Sequence, residues 1–499
     1  MSGQLHKQNL AKAQAAVTEG AVIAKAGSYR QQYHFMAPSG WINDPNGLIF
    51  WQGRYHLFYQ HNPYGPAWGA MHWGHAVSTD LLHWEHLPVA LAPSEPYDDD
   101  RQGGCFSGSA VVVDDELILL YTAASGSGNE PAQTQCLASG RDGITFEKCR
   151  DNPVIRELPP GASVDFRDPK VIRHKDFWYM ILGSSLGAGA RQGGDGCAQM
   201  YRSADLKSWS YCGVIARSNG RLGTMWECPD LFLLGDKWVL MFSPMFCGER
   251  KTIYLLGDMD FEQAVFSWDD GDEGEVDCGF DYYAPQSLLD DKGRRILIAW
   301  AGGWEWMPWW KDFGRTAGEG WCGHFAIPRE VRLTKDNRLQ FWPVAELKSL
   351  RSDEKDDPSF LLGDGDRKEL YAGDGIHCEV VLTIDLGSST AERVFFDVRQ
   401  GACERVRVIL ALGDREIVFG RTGQEGAAEQ LKRQVFPDFE GDLLTVHLFL
   451  DTCSVEVFVL DYRMAFSGNI YFSENSNRLF LESIGGATKI NSICTYNLK

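Results

Sequence analysis

The chain has 499 residues, of which 44% are hydrophobic and 23% charged, a composition that excludes disordered and fibrous proteins. Its 48 Lys and Arg residues are outnumbered by 68 Asp and Glu residues, and the formal net charge of −20 argues against binding to nucleic acid or to anionic membranes. The sequence contains no run of about 18 or more apolar residues, the length that would indicate a membrane span. The length predicts two or three domains.

The N-terminal residues 1–32 predict a short helical lead-in, because they are rich in alanine and polar residues and lack the unbroken apolar stretch of a signal peptide. The 13 cysteines are odd in number, scattered and without a Cys-x-x-Cys pair, which argues against a zinc site and against a disulfide framework. The chain also has no Asn-x-Ser/Thr glycosylation site. These features favour a cytoplasmic protein with reduced thiols.

A strand-like run of aromatic and aliphatic residues recurs five times, at intervals of about sixty residues. The runs begin at Arg54, Glu116, Lys175, Asp236 and Arg294. This period, with turns rich in Gly and Asp, is typical of four-stranded blades around an axis. We therefore predict an all-β protein with a five-bladed β-propeller over residues 33–347, a charged linker at 348–359 and a C-terminal β-sandwich over 360–499. One long β-sandwich is the alternative, but it does not require so regular a spacing.

Each repeat has a short motif ahead of its strand-like run. The motifs are Asn43-Asp44-Pro45-Asn46, Phe106-Ser107-Gly108-Ser109, Arg167-Asp168-Pro169-Lys170, Glu227-Cys228-Pro229-Asp230 and Tyr283-Ala284-Pro285-Gln286. If the repeats superpose, the motifs lie on the innermost strand of each blade, and Asp44, Asp168 and Glu227 project into one axial funnel. Alone, the stretch around Asp44 would be an ordinary turn. Three converging carboxylates are costly to leave unpaired, so together they indicate a functional site.

A pair of carboxylic acids on either side of a scissile bond is the usual equipment for cleaving a glycoside. The amides of Asn43 and Asn46 can donate hydrogen bonds to Asp44 and keep it ionised, which fits a nucleophile. Glu227 follows Trp226 in an apolar stretch of sequence, and burial there fits the acid that protonates the leaving oxygen. Asp168 follows Arg167, so we expect it to remain charged and to bind sugar hydroxyls.

Several motifs in chain order resemble glycoside hydrolase family 32, the family of invertases, sucrose-6-phosphate hydrolases and fructan exohydrolases. The resemblance rests on Trp41 to Gly47, Phe58-Tyr59-Gln60, Trp68 to His75, Phe106 to Ser109, Phe166 to Lys170, Trp226 to Asp230 and Tyr283 to Gln286. It implies a five-bladed propeller followed by a β-sandwich and a retaining hydrolysis of β-fructofuranosides.

The resemblance also implies roles for individual residues. Asp44 is the expected nucleophile, Glu227 the acid/base and Asp168 the stabiliser of the transition state. The residues expected to hold the fructosyl unit are Asn43, Gln60, Trp68, Ser107 and Arg167. For Phe106 and Trp73, a place in the pocket wall and a purely structural role remain equally open, since either ring could pack inside a blade.

A tryptophan-rich segment from Trp304 to Trp310 is too irregular for a simple strand and predicts a loop at the mouth of the funnel. Trp304 would stack on the leaving sugar or plug a neighbouring blade, and the sequence favours neither. Lys311 and Arg315 follow and could meet a phosphate, although one or two basic residues on a loop are usually ordinary surface charge. The predicted sandwich has no acid cluster of its own, so support is its default role.

The sequence therefore predicts a cytoplasmic retaining β-fructofuranosidase, a monomer or homodimer, that releases terminal β-D-fructofuranosyl units from sucrose or short fructo-oligosaccharides. Neither a metal nor an organic cofactor is predicted, because the acids suffice for this chemistry. Sucrose-6-phosphate hydrolysis is the nearest alternative and would need cations near the glucose 6-position. Weaker alternatives are an inverting arabinosidase-type propeller, whose carboxyls would lie farther apart, and a non-catalytic sugar-binding protein.

Overall fold

The structure is a computed structural model. It describes residues 2–99, 103–126, 132–187, 193–269, 271–305, 307, 314–423, 429–436 and 441–499. The chain divides into two compact units. The first contains Met1–Ser28, Phe35–Val276 and Tyr282–Arg338, and the second contains Tyr29–His34, Asp277–Asp281 and Leu339–Lys499. Among the helices in these described ranges, none is long and apolar enough to cross a membrane.

The first unit is a five-bladed β-propeller, and within its described residues each blade is built mainly of antiparallel strands that follow one another in the chain. Blade 1 has strands Gly40–Trp51, Arg54–Asn62, His72–Ser78 and Trp84–Leu91. Blade 2 has Gly104–Val113, Glu116–Ser125, Ala132–Gly140 and Glu147–Lys148, and blade 3 has Ala162–His174, Phe177–Leu186, Asp195–Ser203 and Ser210–Arg217. Blade 4 has Met225–Leu234, Lys237–Met245, Ile253–Asp260, Val265–Ser267 and Glu273–Glu275, and blade 5 has Tyr283–Leu289, Arg295–Trp300 and Arg329–Leu333.

The ring closes between the last and the first blade. Trp321–Cys322 pairs in parallel with the start of the first strand of blade 1, where Gly40 lies opposite Trp321. Apolar side chains fill the space between adjacent blades; one cluster joins Tyr179 and Ile181 of blade 3 to Trp226 of blade 4. Fully burying each such side chain contributes about 1.5–3 kcal/mol, so packing between blades holds the ring together.

The first strand of each blade, here called the inner strand, carries the sequence motif and is irregular at it. The pairing with the second strand shifts between Ile42 and Pro45, and between Glu227 and Asp230, and the other three inner strands have a corresponding shift. A β-bulge bends the strand and changes the direction of its side chains. The repeated motif is therefore the place where each inner strand turns functional groups towards the axis.

The N-terminal helix spans Ser2–Ala24, shorter than the predicted lead-in of 1–32, and a short helix spans Gly314–Gly318. Short 3-10 helices span Pro96–Asp98 and Ala345–Leu350. Alanine-rich sequence without proline favours the long helix. Its apolar side is narrow: Ala13 and Val17 are buried against Val89 at the end of blade 1. The helix is thus a surface element attached to the propeller by one stripe.

The second unit contains two antiparallel sheets, as expected for a β-sandwich. The strands of one sheet are Arg351–Asp357, Phe360–Leu362, Cys378–Asp385, Leu443–Asp451, Ser454–Val459, Met464–Asn469 and Thr488–Leu498. The other sheet has Arg367–Leu370, Arg393–Gln400, Arg405–Ala411, Glu416–Thr422, Gln430–Val435 and Arg478–Ile484. The strand Leu339–Pro343 also belongs to this unit.

One feature of the second unit differs from the sequence interpretation. The stretch predicted as a linker, 348–359, contains the strand Arg351–Asp357, which pairs with Thr488–Leu498 at the edge of its sheet. Charged residues are common on edge strands because they discourage pairing with another chain, so charge alone does not indicate a linker.

The turn at Leu460 to Tyr462 has three consecutive residues with positive φ and no glycine. The ring of Tyr462 stacks on Trp342 at 3.7 Å and helps to hold this turn.

Candidate active site

Three carboxylates from separate blades meet at the propeller axis, as the repeat pattern predicts. Asp44 is on the inner strand of blade 1, Asp168 on that of blade 3 and Glu227 on that of blade 4. The thiol of Cys228 lies between the first two, with Sγ at 3.5 Å from Oδ2 of Asp44 and at 3.5 Å from Oδ2 of Asp168. Since Cys228 follows Glu227 directly, all three acids belong to one small cluster.

Asp44 is buried, with 9% of its surface exposed, and its main contact is with the inner strand of blade 2. The hydroxyl of Ser107 donates to Oδ2 of Asp44 at 2.6 Å. Burial raises the pKa of Asp44 to about 6, and the charge of Glu227 adds to this, while hydrogen bonds from Ser107 and Asn43 act in the opposite direction. At neutral pH the ionised form still predominates, as a nucleophile requires. Asn46 instead accepts from the amide of Gly108 at 3.2 Å.

Asp168 is held by the backbone of blade 4, because the amide of Cys228 donates to its Oδ2 at 2.8 Å. Its own amide donates to Thr122 Oγ1 at 2.9 Å. Burial raises the pKa of Asp168 to about 7, against the opposing effect of Arg167. The expectation that Asp168 remains charged therefore stays a prediction. The guanidinium donates its hydrogen bonds to other carboxylates, and its charge does not offset the burial.

Glu227 has a polar environment rather than the apolar one expected from its sequence neighbours. Arg167 donates to Oε1 from Nε at 3.2 Å and from Nη2 at 3.0 Å, and Tyr283 donates to Oε2 at 2.5 Å. Trp226 is fully buried, stacks on Phe242 at 3.7 Å and donates to Leu222. Neighbouring side chains in a strand point to opposite faces, which is why Trp226 does not surround the carboxylate.

Arg167 connects Glu227 to Asp165 and Gln133, which lie outside the cluster of three acids. Its Nη1 donates to Asp165 at 2.6 Å and to Gln133 at 3.3 Å, so one guanidinium spans Asp165 and Glu227. Burial acts to lower the pKa of Arg167, but the charges of Asp165, Glu227 and Asp168 outweigh it and raise the pKa above its ordinary value. A permanent cation therefore lies beside the cluster and offsets part of its negative charge.

A second ion pair lies behind the acids. Lys170, two residues after Asp168, donates from Nζ to Asp230 at 2.9 Å and to the carbonyl of Ser287 at 2.8 Å. The amide of Ser287 also donates to Asp230 Oδ2, at 2.6 Å. Both charged side chains are buried. This pair ties the inner strands of blades 3, 4 and 5 together next to the candidate acids.

The residues predicted to hold the sugar or to line the pocket differ in how far they are exposed to solvent. Trp73 is fully buried and donates to the carbonyl of Phe106 at 2.9 Å, so its role is structural. Trp68 is 47% exposed and packs edge-on against Phe106, with ring centroids 6.2 Å apart. Gln60 is buried and donates to the carbonyl of Cys105 at 2.9 Å. Phe106 and Trp68 therefore form an aromatic wall beside Ser107.

Trp304 packs on Trp41 of blade 1, with ring centroids 6.1 Å apart, and on Trp300 of blade 5, with ring centroids 5.0 Å apart. The indole of Trp41 donates to Asn43 Oδ1 at 2.8 Å, next to Asp44. Trp304 is thus linked to the acid cluster through the side chains of Trp41 and Asn43. Trp306, Trp309, Trp310 and Lys311 lie outside the described residues, and Arg315 is in the short helix Gly314–Gly318.

Comparison with known proteins places the chain in a family. Residues 34–343 match the N-terminal domain of glycosyl hydrolases family 32, and residues 346–497 match the C-terminal domain of that family. The chain belongs to glycosyl hydrolase family 32. Family membership makes the protein a glycosidase, which fits a carboxylate cluster in a propeller axis.

Relatives in family 32 match over nearly the whole chain. The raffinose invertase of Escherichia coli is 38% identical over 496 residues, covering 96% of this chain and 97% of that protein. The sucrose-6-phosphate hydrolase of Escherichia coli is 36% identical over 474 residues and 93% of each chain. Among solved structures, a mutant of the Bombyx mori GH32 beta-fructofuranosidase in complex with sucrose is 31% identical, with a TM-score of 0.79 over 98% of each chain.

Sequence reasoning missed Tyr283 and Cys228, which contact the candidate acids, and Asp165, which contacts Arg167. A signal for two of them was present. Aligning the motifs on their prolines puts Cys228 level with Asp44 and Asp168, and puts Tyr283 level with Glu227. Asp165 precedes its motif and contacts Glu227 only through Arg167, so the pattern of repeats carries no indication of it.

Proposed function

We propose that the protein is a retaining β-fructofuranosidase with Asp44 as nucleophile, Glu227 as acid/base and Asp168 as stabiliser of the transition state. The observation that carries this proposal is the convergence of the three carboxylates: the thiol of Cys228 contacts Asp44 and Asp168, and Glu227 directly precedes Cys228 in the chain. Paired carboxyl groups at one site are what glycoside hydrolysis requires. Membership of family 32 and the names of the relatives give the substrate class, a β-fructofuranoside such as sucrose.

In the first step, ionised Asp44 attacks the anomeric carbon C2 of the fructosyl unit, and the bond between C2 and the glycosidic oxygen breaks. Glu227 gives its proton to that oxygen, so the leaving sugar departs neutral. In the second step, Glu227 takes a proton from water, which attacks C2 and releases Asp44. Each carboxylate returns to its starting state.

The surrounding contacts fit these roles. Ser107 fixes the orientation of Asp44 through the 2.6 Å hydrogen bond. Arg167 and Tyr283 hold both oxygens of Glu227, so the carboxyl is oriented before substrate arrives. Asp168, fixed by the amide of Cys228, is placed to accept hydrogen bonds from sugar hydroxyls, which strengthen as positive charge develops on the ring.

Two finer points of the proposal concern the compartment and the leaving group. We place the enzyme in the cytoplasm, supported by the 13 cysteines, all within the described residues and all free. For the substrate we keep unphosphorylated sucrose or a short fructo-oligosaccharide ahead of sucrose-6-phosphate, supported by the aromatic wall and the net charge of −20. The relatives named sucrose-6-phosphate hydrolase make the phosphorylated sugar the second candidate.

Steady-state kinetics on sucrose and sucrose-6-phosphate, measured side by side, test both substrates. The proposal expects a higher kcat/KM on sucrose, and a clear preference for the phosphorylated sugar would overturn that choice. Glu227→Ala should lose most of the hydrolysis of sucrose, and azide should convert the slowly formed fructosyl intermediate to fructosyl azide, because a small anion attacks C2 and displaces Asp44 without a general base. Unchanged turnover in Glu227→Ala would overturn the acid/base role.

A further inference from the structure

The N-terminal helix contacts three connections at the same end of the propeller as the acids. The inner strands begin at this end and the second strands finish there, since Trp41 lies opposite Asn62 and Met225 lies opposite Met245. The connections that follow Asn62, Leu91 and Trp300 therefore surround the mouth of the funnel. Ser107, which bonds the candidate nucleophile, is also near the start of its strand.

The first half of the helix binds the connection between blades 1 and 2. Asn9 donates to the carbonyl of Pro93 at 2.7 Å, and the ring of His6 lies 3.1 Å from the carbonyl of Ala92. Gln14 accepts from the amide of Val89 at 3.1 Å. These bonds join side chains of the helix to backbone groups of residues 89–93. They fix the helix on the rim, which is the edge of the propeller around the mouth of the funnel.

The chain after the helix binds a second connection. The amide and the hydroxyl of Ser28 each donate to Oε1 of Glu319 at 2.7 Å. Trp321 donates to the other oxygen of Glu319 at 3.0 Å. The helix is therefore attached to the rim on both sides of blade 1.

Between these attachments, the helix reaches the loop that carries Trp68. The ammonium of Lys12 lies over the ring of Tyr64, 5.1 Å from its centroid. Within the loop, the amide of Tyr64 donates to Asn62 Oδ1 at 3.1 Å, and Asn62 Nδ2 donates to the carbonyl of Ala67 at 2.9 Å. Trp68 follows Ala67 and packs edge-on against Phe106. One continuous set of contacts therefore runs from Lys12 to the aromatic wall.

We propose that the N-terminal helix positions the aromatic wall of the site: Lys12, through Tyr64, holds the loop 63–70 so that the half-exposed Trp68 can stack on the bound sugar. This inference rests on the proposed function. Lys12 is a positioning residue, since it acts on substrate through Trp68. A cation over an exposed ring is a weak contact, so its loss should cost about two- to five-fold in binding and leave the chemical step intact.

The test compares KM and kcat on sucrose for the wild type, Lys12→Met, Trp68→Ala and the double variant. Lys12→Met keeps most of the apolar stem and removes the charge. Its matched control is Lys7→Met, an exposed lysine on the same helix and outside the contacts described above. We expect Lys12→Met to raise KM about two- to five-fold with kcat unchanged, and to have no further effect once Trp68 is alanine. Lys7→Met should match the wild type.

An unchanged KM in Lys12→Met, or an equal rise in the presence and absence of Trp68, would overturn the proposal. Amide hydrogen exchange of residues 62–72 gives a second readout, which we expect to be faster in Lys12→Met than in Lys7→Met. If the wild type releases no fructose from any β-fructofuranoside, the proposed function fails instead. Equal exchange in the two variants would then still overturn the positioning role of Lys12.

Discussion

The phenol of Tyr283 donates a hydrogen bond of 2.5 Å to Oε2 of Glu227, the proposed acid/base. Burial and the charge of Glu227 hold the pKa of Tyr283 well above its ordinary value, so the phenol remains a donor. Arg167 binds the other oxygen of the same carboxylate. Glu227 is therefore oriented by donors from blades 3 and 5, and its reactivity depends on residues outside its own strand.

Tyr283→Phe should lower kcat on sucrose by about 10- to 100-fold with a much smaller change in KM, because a hydrogen bond to a charged group is lost at the reacting centre. The control is Tyr179→Phe, since Tyr179 is also buried but packs on Phe261 between blades 3 and 4. Steady-state kinetics of both variants check this. Equal losses in the two would show that Tyr283 matters only for packing.

Ser107→Ala should move the acid limb of the pH profile of kcat/KM to higher pH. Asp44 must be ionised to act as a nucleophile, and its raised pKa of about 6 predicts that kcat/KM falls as pH drops through about 6. The Ser107 hydroxyl lowers this pKa, so its removal should move the limb to higher pH. Ser109→Ala is the control, because Ser109 donates to the carbonyl of Pro169 instead. A limb that stays in place would contradict the role of Asp44.

Lys170→Met should destabilise the propeller by about 3–5 kcal/mol, because it leaves Asp230 buried without its cation. The additional change Asp230→Asn should recover part of the loss, since it removes the uncompensated charge. Denaturant unfolding measures both effects. As a control, Arg478→Met breaks an exposed ion pair with Glu369 and should leave the unfolding midpoint unchanged. A full-sized loss in the double variant would show that charge is not the cause.

The second unit should become less stable at alkaline pH because of His34. Burial acts to lower the pKa of His34, but its hydrogen bonds to Asp451 and Glu456 outweigh burial and raise it to about 9. A raised folded-state pKa contributes stability that is complete below about pH 6.5 and is lost as pH rises through about 9. The difference in unfolding free energy between the wild type and His34→Gln should therefore shrink over this interval. A constant difference would contradict the buried imidazolium.

The convergence of Asp44, Asp168 and Glu227 could be predicted from the sequence because each acid lies in a repeated motif, and a propeller brings these motifs together at one axis. Asp80 and Asp205 each lie in a Ser-x-Asp turn, a pattern that predicts capping, and Asp80 accepts from the amides of Leu82 and His83. Asp205 makes the same pair of bonds to its own turn. Such local contacts follow from neighbouring residues alone.

The partners of the acids could not be predicted in the same way. Tyr283 reaches Glu227 from another blade, and the β-bulge at each motif decides which of two adjacent side chains faces the axis. The strand alternation that turns Trp226 away from Glu227 is likewise a property of the folded strand. The repeats therefore predict which strands meet, whereas the bulges decide which atoms touch.

The most direct test of the central claim is the stereochemistry of sucrose hydrolysis, followed by proton NMR before the released fructose mutarotates. If Asp44 forms a covalent fructosyl intermediate and Glu227 acts as acid/base, the first product is β-D-fructofuranose, and Asp44→Asn releases none. First release of the α anomer would mean that water displaces glucose in a single step, and the assignment of Asp44 as nucleophile would then be wrong.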